Sequence, residues 1–213
     1  MRILIVSATA AEVDPAVKET RPHHHDIDLL VTGVGMVATA ARCAQALARE
    51  RYDVALNLGV CGSFDRALPP GTVVHVVTDR IAELGAEDGE RFLTIHDLQL
   101  LGEDEPPFRG GRLVNDAPPV NAGLSALPAV HAITVNTVHG EQHSIDAVVR
   151  RFQPQVESME GAAFMYACLV QGVRFAQVRA VSNVVERRNR SAWKLKEAID
   201  NLRAAAVNII RTL

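Results

Sequence analysis

Apolar positions along the chain fall into two patterns. Residues 3–6, 29–31, 54–58, 73–77, 132–135 and 175–181 form nearly continuous runs of aliphatic and β-branched side chains, with little polar alternation. A strand exposed on one face alternates apolar and polar residues, so runs of this kind predict strands covered on both faces, with residues 3–6 as a central parallel strand. The second pattern is helical. Leu195, Ile199, Leu202, Ala206, Ile209 and Leu213 recur at offsets of four and three, which predicts a C-terminal helix whose stripe covers one sheet face. An alanine-rich helix is predicted over about 37–49, after Gly33-Val34-Gly35, and another over about 159–169, after the strand-like Gln155-Val156-Glu157. Strands and helices in alternation predict an α/β fold, a central and mostly parallel mixed sheet flanked by helices. Gly and Pro cluster at 68–71, 105–111 and 116–119, which read as surface turns and long loops. With no internal repeat and no linker, residues 1–213 are expected to form a single domain.

Composition narrows the class of partner. Of 213 residues, 48% are hydrophobic and 22% charged, with 22 Lys+Arg against 25 Asp+Glu, the balance of an ordinary globular domain. The basic residues are scattered and aromatics make up only 4%, so neither an electrostatic footprint nor a stacking platform for nucleic acid is present. Cys43, Cys61 and Cys168 lack CxxC or Cys/His ligand spacing and fit reduced thiols. The first apolar run is too short for a signal segment or a membrane span. These features lead to the expectation of a cytoplasmic protein with no membrane and no nucleic-acid partner.

In open α/β sheets ligands sit beyond the carboxyl ends of the strands, which makes the polar residues there the first candidates for chemistry. Glu12 follows the first strand at a helix start, a position that suits either the helix dipole or a catalytic carboxylate. Thr32-Gly33-Val34-Gly35 is a GxG turn without the rest of a dinucleotide fingerprint. Asn57-Leu58-Gly59-Val60-Cys61-Gly62-Ser63 is expected to end the third strand in a flexible turn whose backbone N–H groups can serve packing or a ligand equally well. Glu157-Ser158-Met159-Glu160 places two carboxylates at a strand-to-helix junction, where Glu160 could cap the helix and Met159 could fill core. Arg179 interrupts an apolar strand. A buried, unpaired guanidinium is very costly, so it requires an acidic partner or a ligand. Ser182 and Asn183 follow, and an Asn offers both donor and acceptor to a heterocycle or to a turn. The His23-His24-His25 run reads as a solvated loop, Glu103-Asp104-Glu105 as a solvated acidic loop, and His75 as satisfied in the core. No GxSxG, HExxH or P-loop motif is present.

Taken in order, these landmarks resemble the purine nucleoside phosphorylase and nucleosidase superfamily. The resemblance rests on Glu12, residues 32–38, Asn57-Leu58-Gly59-Val60-Cys61-Gly62, Gly71-Thr72-Val73-Val74, residues 156–163 and Val178-Arg179-Ala180-Val181-Ser182-Asn183. Glu12 and the 157–160 segment are similar to the methylthioadenosine/S-adenosylhomocysteine nucleosidase branch. That likeness implies that Glu12 handles water, Glu160 anchors the ribose hydroxyls, Met159 packs on the sugar and Arg179 supports Glu12 and the water. It also implies substrate contacts from Gly59, Val60, Cys61, Gly62, Thr137, Val138, Glu157 and Ser182. One position departs from that branch. Asn183 stands where adenine-specific nucleosidases carry an Asp, and an amide can donate to O6 of a 6-oxopurine where a carboxylate would repel it. Residues 81–89 and 181–188 resemble the futalosine hydrolase branch, which implies release of hypoxanthine from futalosine in menaquinone biosynthesis.

The resemblance implies no metal or organic cofactor, a small nucleoside as substrate, and a homodimer or larger homo-oligomer. The substrate's benzoate calls for a cation near the 5′ end, with Arg109, Arg112, His96 and His139 as candidates. Three other readings stand beside this one: an adenine-specific nucleosidase, a phosphate-dependent phosphorylase, and a nucleoside-binding protein without turnover.

Overall fold

The computed structural model describes residues 1–13 and 25–213. Of the His23-His24-His25 run, the first two residues lie outside the described residues. The elements run β1 (Arg2–Ser7), β2 (Asp26–Val31), α1 (Met36–Arg49), β3 (Val54–Ser63), β4 (Val73–Asp79), β5 (Gly85–Asp88), β6 (Arg91–Thr94), β7 (Phe108–Arg109), β8 (Arg112–Val114), α2 (Ala122–Ser125), β9 (Ala129–Thr134), α3 (Gln142–Phe152), β10 (Val156–Ser158), α4 (Gly161–Gln171), β11 (Phe175–Val184) and α5 (Leu195–Thr212).

β1 pairs in parallel with β2 on one edge and β3 on the other, the interior placement its unbroken aliphatic run predicts. β3 is ten residues long, so residues 57–63 are strand paired with β11 and not the expected turn, and it changes neighbours along one edge, from β1 at its start to β10 at Gly62 and Ser63. Its other edge is held throughout by β11, which also pairs antiparallel with β4. β4 continues to β9 and β9 to β10, so the circuit β3–β11–β4–β9–β10 closes on itself. The large sheet is therefore the expected mostly parallel mixed α/β sheet with helices on its faces, and its antiparallel pairings have a local cause. Closure brings β10 antiparallel to β3 and β11 antiparallel to β4, and the β7–β8 hairpin adds further antiparallel pairs. That hairpin lies partly in the 105–111 cluster read as a loop. Its Gly110-Gly111 turn has φ of 53° and 65°, the positive values a tight two-residue hairpin requires.

Both faces of the sheet are covered, which explains the absence of alternation. Ile3 and Ile5 of β1 pack with Leu56, Val178 and the α5 residues Ala198, Leu202, Ala206, Ile209 and Ile210. Leu4 and Val6 point the other way, against Cys43 and Leu47 of α1 and Ala162, Phe164, Met165 and Cys168 of α4. Each such aliphatic side chain contributes roughly 1.5–3 kcal/mol on full burial. The α5 stripe is rotated at its start from the predicted one, because Leu195 is exposed and Ala198 is buried in its place. α3, which was not expected, buries only Ile145 and Val148 of its eleven residues. Glu141 caps it by accepting from Ser144 N–H at 3.0 Å.

His75 is buried, but its Nε2 has no hydrogen-bond partner, contrary to the expectation of a satisfied core histidine. Burial lowers its pKa and keeps the ring neutral.

Candidate active site

The carboxyl ends of β1, β3 and β11 lie side by side because the three strands are parallel neighbours. Glu12 sits just past the end of β1, in the helical residues 10–13, and is 8% exposed. Its two oxygens are used unequally. Oε2 receives Thr9 N–H at 2.9 Å and Thr9 Oγ1 at 2.8 Å, with Ser7 Oγ 3.0 Å away. Among the described residues Oε1 receives only Val60 N–H, at 3.2 Å, so it keeps acceptor capacity for a water.

Arg179 lies beside it, paired in register with Gly59. A β-carbon at Gly59 would collide with Arg179 Nη1 and come within 3.2 Å of Glu12 Oε1. The missing side chain at this position lets the carboxylate and the guanidinium border the same spot. Arg179 is 1% exposed and its partners are Gln177 Oε1, at 3.1 Å from Nε, Asn57 Oδ1, and Glu160 Oε2, 3.5 Å from Nη1. The acidic partner that its burial demands is thus Glu160. Its link to Glu12 is the shared border over Gly59.

Glu160 stands at the N-cap position of α4, yet its side chain makes no capping bond. It turns instead to Arg179 and to Gly35 N–H, which donates to Oε1 at 3.1 Å. A buried carboxylate held between a guanidinium and an N–H can accept from two vicinal hydroxyls. Met159, beside it, is half-buried rather than core.

Three residues further along β3, Gly62 pairs with Asn183 across a bulge in β11. A β-carbon at Gly62 would lie 3.3 Å from Asn183 Nδ2 and 3.6 Å from Glu157 Cγ, which places those two side chains together. Asn183 Nδ2 donates to Val184 O at 3.0 Å, and Ser182 Oγ lies 2.8 Å from Asn183 Oδ1. A carbonyl oxygen only accepts, so this contact fixes the amide's orientation and leaves one N–H of Nδ2 for a ligand. Ser182 Oγ also reaches Cys61 O at 3.1 Å. Burial pushes the Cys61 thiol up to about 12, so it is no nucleophile. Glu157 accepts from His139 N–H at 3.1 Å and pairs with His139 Nδ1 at 2.6 Å.

Thr137 and Val138 stand apart from this cluster. Thr137 is exposed and its N–H goes to Glu83, while Val138 packs with Ala82, Ile133, Val135 and Val148. Among the four candidate cations, His139 is the one joined to the site, through Glu157. Arg109 pairs with Asp116, Arg112 is exposed on β8, and His96 Nδ1 lies 3.0 Å from Leu101 O. Sequence reading missed Gln177 and the His139–Glu157 pair, and gave Asn57 and Gly35, though quoted within landmark segments, no role of their own. Asn57 and Gln177 did leave a signal, because each interrupts an apolar run, and Gln177 is two residues from Arg179 and shares its face. Among the described residues no three His, Cys, Asp or Glu side chains form a metal-binding group, and no helix is long and apolar enough to cross a membrane.

The mixed α/β sheet thus brings together an acid at the end of β1, a buried Arg on β11 and a second acid at the start of α4. The chain belongs to the phosphorylase superfamily, whose family model matches residues 17–213. It is 34% identical to the futalosine hydrolase of Acidothermus cellulolyticus, over 95% of this chain and 87% of that protein. It is 31% identical to the futalosine hydrolase of Thermus thermophilus, over 85% of this chain and 80% of that one. Within the superfamily, the chain therefore falls in the futalosine hydrolase family. The fold is shared with the 5′-methylthioadenosine/S-adenosylhomocysteine nucleosidase of Neisseria meningitidis, solved with methylthio-immucillin-A. That match has a TM-score of 0.82 at 16% identity and covers 100% of this chain and 99% of that one.

Proposed function

We propose that this protein hydrolyses the N-glycosidic bond of futalosine, releasing hypoxanthine and dehypoxanthine futalosine. The observation that carries the substrate choice is Asn183. Its amide is oriented by Val184 O and Ser182 so that an N–H, not a carboxylate, faces the base. A carboxylate there would repel O6 of a 6-oxopurine, whereas an amide N–H donates to the O6/N7 edge.

The bond to the base breaks as the ribosyl ring gains oxocarbenium character and negative charge moves onto the purine. Glu160, steadied by Arg179 and Gly35 N–H, accepts from the ribose hydroxyls and opposes the growing positive charge of the ring. Glu12 Oε1 orients a water and takes its proton as the oxygen bonds to the anomeric carbon, while Oε2 stays tied to Thr9 and Ser7. The departing purine takes the bond electrons, receives a hydrogen bond from Asn183, and is completed by a proton from solvent. Met159 supports the sugar face, and the 59–62 segment with Ser182 lines the route between the water and the base. Substrate contacts from Thr137 and Val138 rest on the family resemblance alone, since both stand apart from the cluster. His139, paired with Glu157, therefore lies at the base end rather than at the 5′ end where the benzoate calls for a cation.

The same reading includes self-association in the cytoplasm. Val34 and Val37, 58% and 81% exposed, flank the Gly35 that binds Glu160, and a partner subunit would cover them. Light scattering giving twice the chain mass supports this, and a monomer at working concentration refutes it. The substrate assignment is tested by chromatography of futalosine and methylthioadenosine, each incubated with and without phosphate. Hypoxanthine from futalosine alone, independent of phosphate, is the expected result. Adenine from methylthioadenosine instead would overturn the role given to Asn183.

A further inference from the structure

The chemistry above leaves one fully buried carboxylate without a task. Asp79, the last residue of β4, is 0% exposed. Its Oδ2 accepts from Gln177 Nε2 at 3.1 Å and its Oδ1 from Thr134 Oγ1 at 2.9 Å. Each partner leads to Glu160. Gln177 Oε1 accepts from Arg179 Nε at 3.1 Å, and Arg179 Nη1 stands 3.5 Å from Glu160 Oε2. Thr134 Oγ1 accepts from Ala162 N–H at 2.7 Å, two residues beyond Glu160 in the first turn of α4. A β-carbon at Gly161 would collide with Gln177 Oε1 and Asp79 Oδ2, so the start of the helix rests directly on this pair.

The relay has a direction. A carboxylate only accepts, so Gln177 must turn its NH2 toward Asp79, which leaves its carbonyl for Arg179 Nε. We propose that Asp79 and Gln177 are positioning residues: Asp79 sets the orientation of the Gln177 amide, and that amide aims the Arg179 guanidinium at Glu160. The proposal rests on Glu160 as the ribose anchor of the reading above. In Asp79→Asn the new amide would keep its oxygen for Thr134 and set its NH2 against that of Gln177. Flipping Gln177 relieves this clash only by placing its NH2 against Arg179 Nε. Adding Gln177→Glu restores the match, because the amide at position 79 then donates to a carboxylate that also accepts from Arg179.

The test compares Asp79→Asn, Gln177→Met and the double variant Asp79→Asn/Gln177→Glu. All are assayed on whichever of futalosine or methylthioadenosine the parent cleaves, alongside thermal unfolding. A wrong substrate and a wrong relay therefore give different results. Each single variant is expected to lose about 10–100-fold in kcat, the worth of one mismatched buried hydrogen bond, with KM changing less. The double variant is expected to recover to within about fivefold of the parent, which a merely structural role would not produce. Parent-like kcat in either folded single variant overturns the proposal, as does a double variant no better than Asp79→Asn. If Asp79→Asn does not fold, Gln177→Met and the double variant decide the matter. A parent that cleaves neither nucleoside overturns both the relay and the function on which it rests.

Discussion

Glu12→Gln separates the two oxygens of the proposed base. Oε2 is occupied by Thr9 N–H, Thr9 Oγ1 and Ser7 Oγ at 2.8–3.0 Å, whereas among the described residues Oε1 has only Val60 N–H at 3.2 Å. Glutamine has one oxygen to offer. Left where three donors converge, that oxygen preserves the Thr9 and Ser7 contacts, but the NH2 then faces Val60 N–H and presents a donor to the water. The reverse orientation sets the NH2 against Thr9 N–H, which can only donate, and makes both hydroxyls turn to accept, so it is worse. One unmet N–H costs about 1–3 kcal/mol of stability. The missing general base costs a further factor of about 10²–10⁴ in kcat, or roughly 3–5 kcal/mol in the barrier. Because binding depends on Glu160 and Asn183, KM should stay within about threefold. Steady-state release of free base, followed chromatographically beside a denaturation curve, measures all three quantities. A variant with kcat within about threefold of the parent, or one in which KM alone rises, would refute the role of Oε1 as base.

Other expectations follow from the same geometry. Asn183→Asp should cut hypoxanthine release by about 10–100-fold, through repulsion of O6, and raise action on a 6-aminopurine nucleoside; an unchanged ratio of the two rates would reject base reading by Asn183. Gly59→Ala drives a methyl group into Arg179 Nη1. It should lose about 1–3 kcal/mol of stability and about 10²-fold in turnover, as calorimetry and kinetics would record. Burial pushes the Asp79 carboxyl up to about 6 from its ordinary 3.8, so between these values the folded protein holds a proton that the unfolded chain has released. Stability should therefore fall as pH rises through that window, by roughly 3 kcal/mol at most. In Asp79→Asn this contribution is absent, so urea midpoints should favour the parent more at pH 4 than at pH 6.5. A difference that does not change with pH contradicts the burial argument.

The strands were legible because coverage on both faces leaves an unmistakable unbroken apolar run, as in residues 3–6. The chemistry was legible in part for a related reason. An Arg inside such a run has to find a partner, and Arg179 finds Glu160. The two amides that complete its surroundings, Asn57 and Gln177, were visible only as polar interruptions, since their roles depend on β3 lying beside β11. The His139–Glu157 pair joins a loop to β10 across eighteen residues and has no local signature. The balance of parallel and antiparallel pairing was hidden as well. It is set by closure of the circuit through β10, a strand of three residues, and no periodicity within so short a strand reports its direction. α3 did leave a signal that went unread, because Ile145, Val148, Val149 and Phe152 fall at offsets of three, four and seven.

The most direct test of hydrolysis at this site is the fate of the oxygen added to the sugar. Futalosine cleaved in ¹⁸O-enriched water containing phosphate should give hypoxanthine and a dehypoxanthine product carrying a single ¹⁸O at the anomeric position, at a rate indifferent to phosphate. A phosphorylated sugar product, or cleavage that stops when phosphate is removed, would contradict the assignment of Glu12 as the residue that activates water.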